Sequence, residues 1–239
     1  MGDAEAVGRE AAARILAVVE RKHEAVLGLA TGSTPIPAYR ELVQLAHERK
    51  VSFAGVKTFN LDEYLGLSGS HPQSYRQYMN KHLFEHLDIP LWQTALPDGA
   101  ASDPEAECAA FEARIRAAGG VDLWLLGIGS NGHIGFNEPG APRDCRTRVA
   151  SLAPSTIEAS AKDFGGAAGV PRQALTAGVA TILEAREILL LATGAGKATA
   201  VAGALEGPIT PQLPASYLQA HPSCAFVLDR AAAGKLAQR

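Results

Sequence analysis

Three stretches of the chain gather residue types that can do chemistry. Asp62 and Glu63 close the run "VKTFNLDEY" (56–64). His133 and Glu138 share the stretch "GIGSNGHIGFNEPG" (127–140). Thr31, Gly32, Ser33 and Thr34 stand in "LATGSTP". A carboxylate at the end of an apolar strand can serve as a general base, and a histidine exchanges protons near neutral pH. A second carboxylate beside that histidine can orient its ring and hold its proton. Hydroxyls and backbone N–H groups between a strand and a helix make a cradle for an anion, helped by the helix dipole. Lys197, in "ATGAGKA", occupies a similar turn. The dipole disfavours a cation there unless an anion lies near.

Each feature also has a plainer reading. The Thr31–Thr34 turn by itself is as well explained as a simple connection, and Lys197 tips it toward phosphate. It is not a Walker loop, since no Gly-Lys-Ser/Thr follows. The acidic pair alone reads best as a solvated cap on a loop. If it does line a crevice, one carboxylate points in and the other away, because neighbouring strand residues face opposite sides. Gly127, Gly129 and Gly132 fit the dinucleotide pattern G-x-G-x-x-G. That site needs Gly132 to open a long helix and an acid roughly 20 residues on. Gly135 and the run Asn137-Glu138-Pro139-Gly140 cannot carry such a helix, and no acid closes the next strand. A nicotinamide cofactor is therefore excluded, and His133 and Glu138 are left as the chemistry of that loop.

The elements that position these residues alternate. An amphipathic helix is expected over 4–22, with Val7, Ala11, Ile15 and Val18 or Val19 on one face. Apolar strands are expected at 25–30, 56–64, 121–129 and 186–194, with a last one at 224–230 before a C-terminal helix. Helices are expected after Pro35 or Pro37, at 74–86, at 105–120 and at 195–207, with a short one at 155–164. Residues 146–152 read as extended, and "GGAAG" (165–169) as the most flexible segment. Such alternation predicts an α/β fold, Rossmann-like, with a mostly parallel sheet and helices on both faces in a single domain. Sites in such sheets collect at the carboxyl ends of the strands, where all the motifs above fall.

Bulk properties narrow the function. The 239 residues are 47% hydrophobic and 20% charged, ordinary for a soluble domain. Lys+Arg 22 against Asp+Glu 25 gives a net charge of −3, with no basic excess for nucleic acid. No apolar stretch reaches the ~20 residues of a membrane helix, and the N-terminus has no signal-peptide layout. Cys108, Cys145 and Cys224 are far apart and odd in number, which fits a reducing cytoplasm rather than a disulfide or zinc framework. Cys145 reads as a bystander near the histidine loop.

Taken in order, "GLATGSTP", "FNLDEYLGL" with "HPQSYRQYM", "GIGSNGHIGFNEPG", "PRQALTAGVATIL" and "LQAHP" resemble the glucosamine-6-phosphate deaminase family, from about residue 5 to about residue 230. The resemblance implies conversion of glucosamine 6-phosphate and water to fructose 6-phosphate and ammonia, with no metal and no organic cofactor. It implies that Thr31, Gly32, Ser33, Thr34 and Lys197 hold the phosphate. Asp62 would carry the C2/C1 proton, and His133 with Glu138 would open the sugar ring. The expected partner is a small amino sugar phosphate, with no nucleic acid and no membrane. Galactosamine 6-phosphate deamination and 6-phosphogluconolactonase activity on the related fold are the alternatives. The second is disfavoured by Tyr64 after the Asp-Glu pair and by the Asn-Glu-Pro-Gly turn.

Three departures from the family pattern carry expectations. Asn131 stands where many members have Asp; it can orient His133 through its carbonyl but cannot accept a proton. Arg148 matches one basic position of the allosteric members, whereas Ala150 falls on the second, which predicts no activation by N-acetylglucosamine 6-phosphate and a monomer or small homo-oligomer. A lid around 150–170 has Ala161 where members often carry Arg, so Lys162 becomes the candidate to reach the phosphate, as a point charge. The resemblance also implies a short strand ahead of the first helix that this sequence lacks, so one edge strand is expected to be absent or trimmed.

Overall fold

The computed structural model describes residues 1–237. Its elements are α1 (Ala4–Arg21), β1 (Val26–Leu29), α2 (Ile36–Arg49), β2 (Lys57–Asn60), β3 (Asp62–Tyr64), α3 (Tyr75–His82), β4 (Thr94–Ala95), α4 (Pro104–Ala117), β5 (Leu123–Gly127), β6 (Arg148–Ser151), α5 (Pro154–Ser160), β7 (Gln173–Thr176), α6 (Val179–Leu183), β8 (Glu187–Ala192), α7 (Ala198–Glu206) and β9 (Cys224–Leu228). Six strands form a parallel sheet in the order β4-β2-β1-β5-β8-β9. At one edge the Met1 amino group donates to the Leu228 carbonyl at 2.7 Å.

Continuous apolar strands need cover on both faces, and the two cores show it. Leu27, Leu29, Leu125 and Leu189 pack under α1 and α2. Their neighbours Val26, Trp124, Leu126 and Leu190 pack on the other face with Phe111 of α4, Ile182 of α6 and Val201 of α7. Capping follows the residue types. Asp3 and Asp103 accept from the N–H groups of Ala6 and Ala106, and Gly119 and Gly120 end α4 with positive φ.

The order reverses between β1 and β5, so the crevice of the sheet opens above their carboxyl ends. The Thr31–Thr34 turn leaves β1 there and the histidine loop leaves β5. A second, antiparallel sheet β3-β7-β6 stands at this end.

Two expectations need correction. "VKTFNLDEY" is not one strand. The Leu61 N–H bonds to Leu29 in the main sheet and its carbonyl to Ala177 beside the small sheet, so the chain changes sheets immediately before Asp62. No helix follows β9 among the described residues; 230–236 run as turns, and residues 238–239 lie outside them.

Candidate active site

The turn after β1 is braced from two sides. Buried Tyr39 of α2 donates to the Ala30 carbonyl at 2.5 Å, and Tyr78 of α3 donates to the Gly32 carbonyl at 2.6 Å. No side chain caps the start of α2. Its first N–H groups, with exposed Gly32 and Ser33, remain available to an anion. Lys197 ends a short 3-10 turn after β8. Burial lowers the pKa of its ammonium, and no carboxylate among the described residues offsets that. Lys162 is exposed on the 3-10 turn after α5, and no hydrogen bond joins it to the Thr31–Thr34 turn.

Asp62 and Glu63 divide their work, as alternation requires. Glu63 accepts from the Ser74 hydroxyl at 2.6 Å and from the N–H groups of Tyr75 and Arg76 at 3.1 and 3.3 Å. It braces the start of α3 from a buried position, so this member of the pair is structural, though not the solvated loop cap expected. Asp62 is only 5% exposed and accepts no hydrogen bond among the described residues. Burial first, then the charge of Glu63, push its carboxyl up to about 8. A carboxyl poised near neutral pH can take and return a proton.

The histidine loop does not open a helix: residues 128–147 are turns and bends. Its glycines serve the acid/base groups. A Cβ at Gly129 would sit 2.4 Å from the His133 ring. Gly135 has φ +55, and a Cβ there would lie 3.4 Å from Asp62 Oδ2 and 3.0 Å from Thr176 Oγ1. His133 Nδ1 is 3.3 Å from Glu138 Oε2. Burial alone would raise the Glu138 carboxyl, but hydrogen bonds and charge from His133, with Thr156 and Asn131 donating, outweigh it and hold it at about 2. No hydrogen bond joins Asn131 to the imidazole among the described residues. Its carbonyl accepts from the His133 backbone N–H at 3.1 Å, and its amide donates to Glu138 Oε2 at 2.8 Å.

Asn131, His133 and Glu138 therefore sit together on one loop, and Gly135 of that loop lies against Asp62. Tyr75, Thr156 and Thr176 join them and were not expected. Thr176 accepts from the Phe136 N–H at 3.1 Å and pins the loop to β7. The segment 150–170 is packed over this end. Ile157, Val170 and Phe164 cluster with Tyr64 and Phe136, and the Tyr64 hydroxyl donates to Ser160 at 3.2 Å.

An α/β enzyme that moves protons on a small phosphorylated molecule is the class these loops describe. The family model for glucosamine-6-phosphate isomerases/6-phosphogluconolactonase matches residues 3–226, and the chain belongs to that family. Within it, the chain is 52% identical over 237 residues to a glucosamine-6-phosphate deaminase of Rhodopirellula baltica, covering 99% of this chain and 94% of the relative. It is 51% identical over 226 residues to one from Geobacillus sp., covering 95% and 90%. The solved structure of a monomeric glucosamine-6-phosphate deaminase superposes with TM-score 0.97 at 44% identity, over 98% of each chain. A 6-phosphogluconolactonase of Trypanosoma brucei, at 22% identity and TM-score 0.79, shares the fold.

Proposed function

We propose that this chain converts glucosamine 6-phosphate and water to fructose 6-phosphate and ammonia. The observation that carries the reading is Asp62, buried with its carboxyl lifted to about 8, one glycine away from the His133–Glu138 loop. In this reading Thr31, Gly32, Ser33, Thr34 and Lys197 hold the phosphate, and binding there orients the sugar at a distance from the chemistry. His133, with Glu138 and Asn131 behind it, moves the proton that opens the ring. Asp62 takes the C2 proton and returns it to C1, after which water displaces the amine. The substrate's ammonium group beside Asp62 would favour its carboxylate form and so generate the base on binding.

Around this reaction we place a lid at 150–170 within the single domain, hinged at Gly165 and Gly166, both at positive φ. Lys162 would approach the phosphate as that lid closes. A monomer is supported by the 44% identical monomeric relative. A cytoplasmic location is supported by three free cysteines, Cys108, Cys145 and Cys224. No helix among the described residues is long and apolar enough to cross a membrane.

Ammonia release from the purified protein tests the reading, with galactosamine 6-phosphate and 6-phosphogluconolactone as comparison substrates. Ammonia and fructose 6-phosphate from glucosamine 6-phosphate, lost in Asp62→Asn, support it. Turnover of the lactone alone overturns it.

A further inference from the structure

The four donors around Glu138 are sorted by origin. Its Oε2 faces the histidine loop, with Asn131 Nδ2 at 2.8 Å and His133 Nδ1 at 3.3 Å. Its Oε1 faces the lid segment, accepting from the Thr156 hydroxyl at 2.5 Å and the Ala153 N–H at 3.2 Å. Thr156 is buried in the first turn of α5, and its Oγ1 is also 3.5 Å from His133 Nδ1. Both lid donors therefore hold one oxygen of the carboxylate whose other oxygen meets the histidine.

We propose that Thr156 is a positioning residue for the reaction: its hydroxyl fixes Glu138 from the lid side and thereby sets how Glu138 holds the His133 ring. The inference rests on the deaminase reading for its kinetic consequence. A short hydrogen bond to a carboxylate favours the charged form. It also competes for the electron density that Glu138 offers to the His133 proton. Without it, Glu138 takes up a proton more readily and draws harder on His133. The charged and titratable groups around the pair are His133 itself, Arg148 of β6 lining the same hollow as Glu138, and Asp62 across Gly135. The other α5 contact, Ser155 Oγ with Asn131 Nδ2 at 3.3 Å, is neutral. Thr156 is thus the lid's one side-chain donor to this carboxylate among the described residues.

The test is the pH profile of kcat/KM for glucosamine 6-phosphate in Thr156→Val and Thr156→Ser. Valine keeps the shape and removes the donor. The limb of the profile set by the His133–Glu138 pair, as distinct from the one set by Asp62, is expected to move up by about one pH unit, with kcat at the optimum down about tenfold and KM little changed. Serine keeps the hydroxyl and is expected to restore the wild-type limb. An unshifted limb with uniformly lower activity, or a serine variant as impaired as valine, would overturn the proposal in favour of simple lid packing. Should the valine variant fail to fold, Thr156→Ala takes its place. A second readout needs no substrate. The His133 ring signals, followed at fixed pH by NMR of histidine-labelled protein, are expected to move in the valine variant and to return in the serine variant. Unchanged ring signals would count against Thr156 even if the wild type released no ammonia, an outcome that would sink the deaminase reading instead.

Discussion

Asp62 is held where its charge is unwelcome, and that sets up an opposition between stability and activity. Its carboxyl rises from an ordinary 3.8 to about 8, first through burial and then through Glu63. Well below its ordinary 3.8 it is protonated in both the folded and unfolded chain, so it adds no strain. As pH rises toward 8 the unfolded chain ionises while the folded one resists, and stability is progressively lost. Asp62→Asn removes that cost. Its melting temperature is expected to approach the wild type's well below pH 3.8 and to exceed it increasingly up to about pH 8. Deamination in the same variant is expected to fall by about 10²–10⁴-fold, the usual worth of a general base. A melting difference that does not vary with pH would show that Asp62 is not the strained group. Asn131 makes a second residue-level case. Because its amide lies 2.8 Å from Glu138, Asn131→Asp would set two carboxylates against each other and raise the proton affinity of the pair. The pH optimum is expected to move upward, and a kcat loss above about 100-fold would contradict this reading of a supporting role.

At the scale of elements, α3 shows how one carboxylate of the acidic pair serves structure. Ser74 caps this helix by accepting from the Arg76 N–H, and its hydroxyl donates to buried Glu63. Ser74→Ala removes both bonds, and a loss of ~1–2 kcal/mol in urea unfolding is expected. Since α3 carries Tyr78, which holds the Gly32 carbonyl, KM for the sugar phosphate should rise more than kcat falls. The sequence marked the apolar cores of β1, β5 and β8 because strands buried on both faces read as unbroken apolar runs. It did not mark the break at Leu61, an apolar residue in an otherwise extended run whose two backbone groups pair with different sheets. Nor did it mark β7 and α6, which are short and set by their partners. Asp62, His133 and Glu138 stood out as candidates because they interrupt apolar or glycine-rich sequence. Thr156 and Thr176 were not, because an ordinary threonine gains its role only from what lies 18 or 40 residues away. The C-terminal "AAAGKL" reads as helix by its alanines, yet Gly234 lies among turns.

The whole molecule bears on regulation through β6, where the allosteric members of the family carry basic residues. Arg148 is already engaged within its own chain. Its Nη1 donates to Asn137 Oδ1 at 2.7 Å and lies 3.2 Å from Cys145 Sγ. Asn137 in turn donates to the Ile134 and Ala177 carbonyls, so the guanidinium supports the turn that carries Glu138. The other position is Ala150, a buried member of the cluster with Tyr64, Phe136 and Ile157. One occupied guanidinium and one methyl group give a second sugar phosphate little charge to hold. A ligand also shifts an equilibrium only by binding one state better than another. Initial rates are therefore expected to follow a hyperbola in glucosamine 6-phosphate, and saturating N-acetylglucosamine 6-phosphate is expected to leave both kcat and KM unchanged. Sedimentation with and without that compound should give one species of single-chain mass. Sigmoidal rates that the acetylated sugar straightens would mean that Arg148 leaves Asn137 on binding, and Arg148→Gln would then have to abolish the effect.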